Sequence, residues 1–116
     1  MLGGKRSLRV ADMIHKEISE MLIKGEIRDP RVNSVILTGI KISDDLGFAR
    51  IFFTVMDDNA NVEEILAGLQ SAATFIKREL SKRFRIKRIP DLRFEFDIQL
   101  QEGYRVDELL RKTKSE

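Results

Sequence analysis

The sequence predicts a small α+β domain in which a three-stranded mixed sheet carries its helices on one face. Three observations predict it. Apolar residues recur at helical spacing in two separate stretches, two β-rich segments flank a turn, and one late segment alternates apolar and polar residues without a fault. At 116 residues the chain can bury one core and has little room for a second. Residues 1–110 are expected to form that single domain, with RKTKSE (111–116) as a flexible tail.

The first helix is expected from Ser7, a good N-cap, to about Lys24. Val10, Ile14, Ile18, Met21 and Leu22 lie at helical spacing, and Gly25 stands where helices end. In EIRDPRVNS, Asp29-Pro30 reads as a turn, because proline supplies no backbone donor. SVILTGIKIS (34–43) and GFARIFFTVM (47–56) are rich in β-branched and aromatic residues and are joined by a turn-prone DDL, with Gly47 following, so they predict an antiparallel hairpin. Asn61 caps the next helix, with Glu64 placed for a capping box.

Val62, Ile65, Leu66, Leu69, Ala72, Ala73, Ile76, Leu80 and Phe84 fall on one apolar stripe, so the helical pattern continues to Phe84. Phe75 lies off that stripe, and the small residues SAAT before it offer a place for a bend. After Ile89-Pro90, LRFEFDIQ (92–99) sets Leu92, Phe94, Phe96 and Ile98 on one face and Arg93, Glu95, Asp97 and Gln99 on the other, a half-buried strand. A helical crossover between the second and last strands makes them parallel if they are adjacent. Beyond Gly103, Val106, Leu109 and Leu110 allow a short helical turn.

Charge is the main functional signal. IKRELSKRFRIKRIP (76–90) holds Lys77, Arg78, Lys82, Arg83, Arg85, Lys87 and Arg88 against the single acid Glu79, in a chain whose net charge is only +2. Lys77, Arg78, Lys82 and Arg85 share the side of the helix opposite the apolar stripe, Arg83 sits at its margin, and Lys87 and Arg88 follow in the connection. Compensation of the helix macrodipole favours a few cations there but does not account for seven. Lys5, Arg6 and Arg9 make the amino terminus basic as well. The acidic residues gather elsewhere, with Asp44, Asp45, Asp57, Asp58, Glu63 and Glu64 between positions 43 and 66. Such polarity predicts a polyanionic partner for the basic side, and phosphate contacts are its simplest chemistry. Phe94 and Phe96 are in phase with the core, so base stacking is not expected of them, and recognition should lean on phosphates and shape. Neutralising roughly five phosphates would give log K against log salt a slope of about −4.

Catalytic chemistry is not visible. Cysteine is absent, which removes disulfides and thiolate chemistry. His15 is the only histidine and has no motif around it, so it reads as a surface residue of the first helix. The Asp44-Asp45 and Asp57-Asp58 pairs sit at turns, where aspartate bonds its own backbone. GxxxxGK[ST], GxGxxG and GxSxG are missing. A GxxG loop between helices is missing too, Gly68-Leu69-Gln70-Ser71 coming closest. The opening MLGGKRSLRV lacks the apolar core of a secretory signal, and no stretch is long and apolar enough for a membrane span. A cytoplasmic monomer without cofactor or metal is expected.

RSLRVADMIHKEISEMLIKG (6–25), IRDPR (27–31), ISDDLGFARIFFTV (42–55), LQSAATFIKREL (69–80), IPDLRFEFD (89–97) and GYRVDELL (103–110), in this order and spacing, resemble the ribosome-binding factor A family over nearly the whole chain. The resemblance implies a type II KH-like αββααβ fold, in which a kink between two helices at Ala-x-Gly replaces the GxxG loop. It also implies a non-catalytic factor that binds the free small (30S) ribosomal subunit, assists late 16S rRNA maturation including the 5′ end, and matters most in the cold. The kink maps onto Ala72-Ala73-Thr74, with threonine where the family has glycine. Threonine resists positive φ, so either a gentler distortion makes the bend or the two helices approach one continuous helix.

On this reading Lys77, Arg78, Lys82, Arg83, Arg85, Lys87 and Arg88, joined by Lys5, Arg6 and Arg9 if the first helix begins on the same side, contact rRNA phosphates. The rival of another class is a protein-interaction module whose acidic side, residues 44–64, docks a basic ribosomal protein or an assembly GTPase. A metal-dependent nuclease would need magnesium on Asp44, Asp45, Asp57 or Asp58.

Overall fold

A computed structural model describes residues 2–57, 59–86 and 88–98, the first four of them by backbone alone. The expected helical turn at 103–110, the tail at 111–116, Asp58 and Lys87 lie outside the described residues.

Helix α1 spans Leu2–Ile23. It begins ahead of the expected cap, and Ser7 is a buried interior residue rather than an N-cap. The reason is helical phase: Ser7 continues, one turn earlier, the buried stripe of Val10, Ala11, Ile14, Ile18 and Met21. The helix ends as predicted at Gly25, whose φ of 68° is the left-handed conformation glycine adopts freely. The Glu26 N–H donates to Met21 O at 2.9 Å and the Gly25 N–H to Leu22 O at 3.3 Å, the two bonds of a Schellman motif.

A single 3-10 turn, Pro30–Val32, follows. Asp29 caps it, accepting from the Arg31 N–H at 3.0 Å and pairing with the Arg31 guanidinium at 2.6 Å. This turn is seated on the second helix where Gly68 offers no side chain. A Cβ there would stand 3.2 Å from Arg31 Nε and Asp29 Oδ2 and 3.3 Å from Val32 Cγ1.

Strands β1 (Val35–Ile42) and β2 (Phe48–Val55) form the expected antiparallel hairpin, from Val35↔Val55 to Ile42↔Ala49, with a register shift between Leu37 and Gly39. The left-handed position in their turn falls on Leu46, at φ 60°, and not on Gly47. Asp45 stabilises this turn by accepting from Ser43 Oγ at 2.7 Å and from the Gly47 N–H at 2.9 Å. Strand β3 (Asp91–Phe96) runs parallel to β2 from Phe48↔Asp91 to Phe53↔Phe96, giving the sheet order β1-β2-β3.

Between β2 and β3 the chain crosses over through α2 (Val62–Arg83). Asn61 Oδ1 caps it by accepting from the Glu64 N–H at 3.2 Å. Where a kinked pair was expected, α2 is one uninterrupted helix that contains Ala72-Ala73-Thr74. The reason is conformational. Among the described residues only Leu46 and Gly25 have positive φ, and alanine and threonine at 72–74 stay in the right-handed region that they prefer. Phe75 is accordingly not turned inward and remains 38% exposed.

The core lies between one sheet face and both helices. Ile14, Ile18 and Met21 of α1 and Leu69, Ile76 and Leu80 of α2 pack with Ile51 and Phe53 of β2, all fully buried. Phe94 is buried, and Phe96 meets Phe53 edge-on at 5.7 Å. The outer edge of β3 is partly covered by Gln70, which donates to Leu92 O at 3.2 Å and accepts from the Phe94 N–H at 3.4 Å. Among the described residues no helix is long and apolar enough to cross a membrane.

Candidate nucleic-acid interface

The parallel pairing of β2 and β3 fixes where the basic segment goes. Having left α2, the chain must return to the end of the sheet at which β2 starts. Residues 84–90 make that return, and the Asp91 N–H donates to Gly47 O at 3.0 Å. Lys77, through its pair with Asp91, and Arg88, which attracts Asp45 and Asp91, are thereby brought beside the β1–β2 turn.

Their carboxylate partners divide the predicted residues into groups. Arg83 is held between two acids, its Nη1 2.9 Å from Glu17 Oε2 of α1 and its Nη2 3.2 Å from Glu26 Oε2. These contacts tie the end of α2 to α1 and to the loop behind it, and they hold the guanidinium still more firmly in its charged form. Lys77 Nζ lies 2.6 Å from Asp91 Oδ1, and Lys82 Nζ lies 3.2 Å from Glu79 Oε2. Arg78, Arg85 and Arg88 are exposed and have no ion-pair partner among the described residues. Arg6 and Arg9 are exposed on α1, roughly 12–17 Å of helix rise from Glu17, where that helix meets Arg83. The side chain of Lys5, like Lys87, lies outside the described residues.

Thr74, Lys77, Arg78, Ser81, Arg88 and Ile89 line an open depression of about 420 Å³ between the outward side of α2 and the connection. Neither Thr74 nor Ser81 was picked out from the sequence as a binding residue, although Thr74, Lys77, Arg78 and Ser81 stand at helical i, i+3, i+4 and i+7 spacing. Asp91 is the acid beside it. Hydrogen bonding from Lys77, then the charges of Lys77 and Arg88, hold its carboxyl below the usual range. The Asp45 carboxyl is also lowered, chiefly by Ser43 and the Gly47 N–H, with Arg88 adding a smaller attraction. The acidic hairpin turn and the basic connection are thus neighbours.

The other singled-out residues lie apart from this depression. Asp57 accepts from the Asn59 N–H at 2.9 Å in a tight loop, Asp44 is exposed in the hairpin turn, and His15 is half-buried on α1. Among the described residues no three histidines, cysteines or acids converge as a metal site. Two aromatics escaped the sequence reading. Phe48 and Phe52 point to the outer face of the sheet, with Arg93 5.6 Å from the Phe48 ring and Arg50 5.2 Å from that of Phe52. The period of β2, which buries Ala49, Ile51 and Phe53, carries that signal.

A three-stranded mixed sheet backed by two helices, with a cationic surface where the crossover helix ends, defines a small α+β domain suited to a polyanionic partner. The family model for ribosome-binding factor A matches residues 6–110. A ribosome-binding factor A from Syntrophus aciditrophicus is 45% identical over 116 residues, covering 100% of this chain and 94% of that protein. The chain belongs to the ribosome-binding factor A family. Its fold is similar to the crystal structure of the Thermus thermophilus ribosome-binding factor A, with a TM-score of 0.65 and 19% identity over 77% of this chain and 93% of that one. It is also similar to a homology model of the Thermus thermophilus factor fitted into a cryo-EM map of a 30S complex, with a TM-score of 0.61 and 20% identity over 74% of this chain and 89% of that one.

Proposed function

We propose that this protein is a non-catalytic assembly factor that binds the free small ribosomal subunit through rRNA phosphates, acting as a cytoplasmic monomer without a cofactor. The observation that carries the reading is the group Arg78, Arg85 and Arg88, three exposed arginines within one short segment that form no ion pair with a described carboxylate. Family membership and the fitted 30S complex of a relative with the same fold support it. Lys77 and Lys82 flank that group, Lys87 lies between its members in sequence, and Lys5, Arg6 and Arg9 extend it along α1. Arg83 serves the fold first, since both of its partners are intramolecular.

Binding at this surface holds an immature 16S rRNA conformation until its 5′ end is matured. Misfolded RNA persists longer in the cold, and there the factor is needed most. The test is co-sedimentation with free small subunits, large subunits and intact ribosomes at two salt concentrations. Selective, salt-sensitive association with free small subunits is expected, and the double variant K82E/R85E should abolish it while leaving thermal stability near that of the parent. Equal association with every particle would refute the reading.

A further inference from the structure

We infer that the depression lined by Thr74, Lys77, Arg78, Ser81 and Arg88 seats one backbone phosphate of the RNA, and that Asp91 holds Lys77 in its place until that phosphate displaces it. The inference rests on the reading of the surface as an rRNA interface and names a seat within it. Three cations converge on one concavity, Lys77 and Arg78 from one turn of α2 and Arg88 from the connection, and Thr74 adds a hydroxyl, while that of Ser81 donates to Arg78 O at 2.7 Å. Isolated surface lysines do not make such an arrangement.

A carboxylate already marks where an anion is attracted. Lys77 Nζ reaches it at 2.6 Å, with the Lys77 and Asp91 side chains 41% and 65% exposed. A pair so open to water contributes little to stability and exchanges readily. A phosphate has more acceptor oxygens and more charge to share, so it can engage Arg78 and Arg88 along with Lys77. Asp91 is not fixed there by the fold through its side chain, since its structural bond, to Gly47 O, is made by its backbone N–H. Asp91 therefore acts as a resident competitor that sets how tightly the seat takes RNA.

The consequence is a substitution that strengthens binding. D91N removes the competing charge and keeps the backbone bond, so affinity for free small subunits rises about two- to fivefold. R78Q and R88Q each weaken binding and reduce the magnitude of the salt slope by about 1. The decisive arm is D91N in a K77Q background. A displaced carboxylate predicts that the gain disappears without Lys77, whereas a gain of equal size there would make Asp91 only a diffuse repulsive charge and overturn the proposal. Unchanged or weaker binding by D91N, with an unaltered melting temperature, would overturn it as well. If K82E/R85E loses subunit binding while R78Q and R88Q do not, the interface stands and this seat falls. If the parent protein does not select free small subunits, the interface itself falls.

Discussion

Arg83→Gln separates what the basic segment does for the fold from what it does for RNA. In the folded chain the guanidinium contacts Glu17 at 2.9 Å and Glu26 at 3.2 Å, with side-chain exposures of 31% for Arg83 and 24% and 36% for the two acids. Partly exposed pairs of this kind contribute about 0.2–1 kcal/mol each. Losing both, and leaving two carboxylates near one neutral amide, should cost about 1 kcal/mol. For a domain of this size that lowers the melting temperature by about 4 °C. Thermal unfolding by circular dichroism measures the loss, which should shrink in high salt. A cycle with Glu17→Gln should return a coupling of a few tenths of a kcal/mol, about what one exposed pair supplies. Affinity for free small subunits below the melting range should change less than in Arg78→Gln. An unchanged melting temperature together with a tenfold or greater loss of subunit binding would refute the reasoning, because Arg83 would then reach phosphate and its carboxylates would be incidental.

Other substitutions test the local physics. Gly25→Ala meets nothing within 4 Å, so its cost is the left-handed backbone alone, about 1–2 kcal/mol, and Gly25→Asn should recover part of it in urea unfolding. Gly68→Ala drives a methyl against the Asp29–Arg31 pair and Val32 and should destabilise by about 1–3 kcal/mol. A fully stable variant would mean that the 3-10 turn is not seated on α2. The carboxyls of Asp29, Asp45, Asp91 and Glu95 are held below their ordinary range, chiefly by hydrogen bonds from Arg31, Ser43, Lys77 and Arg50 respectively. The native state therefore binds fewer protons than the unfolded chain near pH 4. Stability should be level from pH 7 to about 5 and fall as pH drops through the lowered native values. A urea midpoint that rises on acidification would contradict that sign.

Local periodicity made most of the fold legible. The stripe in α2, the Schellman glycine and the alternation of β3 are each set by neighbours in sequence, and the parallel crossover follows from their order. What was not legible depends on long-range pairs. Nothing near Arg83 in sequence announces Glu17 or Glu26, so its reading as a phosphate contact carried no sign of the ion pairs that join it to α1 and the loop behind it. At 72–74 the sequence left a bend or one continuous helix open, and the chain takes the second. A family's glycine implies a backbone freedom that Thr74 lacks, and the helix continues where threonine allows it to. Ser7 was misread because a good capping residue is also small enough to lie in a buried stripe.

The pairing pattern also alters the expected salt dependence. Counting cations in residues 76–90 invites a slope of about −4, as for roughly five neutralised phosphates. A cation already paired with a carboxylate has fewer counterions to release, since trading its partner for phosphate frees an acid that attracts cations in turn. Arg83 is doubly paired, and Lys77 and Lys82 are singly paired. Arg78, Arg85 and Arg88 are left as the efficient contributors, and three phosphates give a slope of about −3. D91N should steepen it toward about −4 by releasing Lys77. Arg6 and Arg9, exposed and without an ion pair among the described residues, would steepen it further if they reach the RNA, but a parent slope of about −6 or beyond would mean that the paired cations bind phosphate as fully as the unpaired arginines, and the division of the surface by carboxylate partner would have to be abandoned.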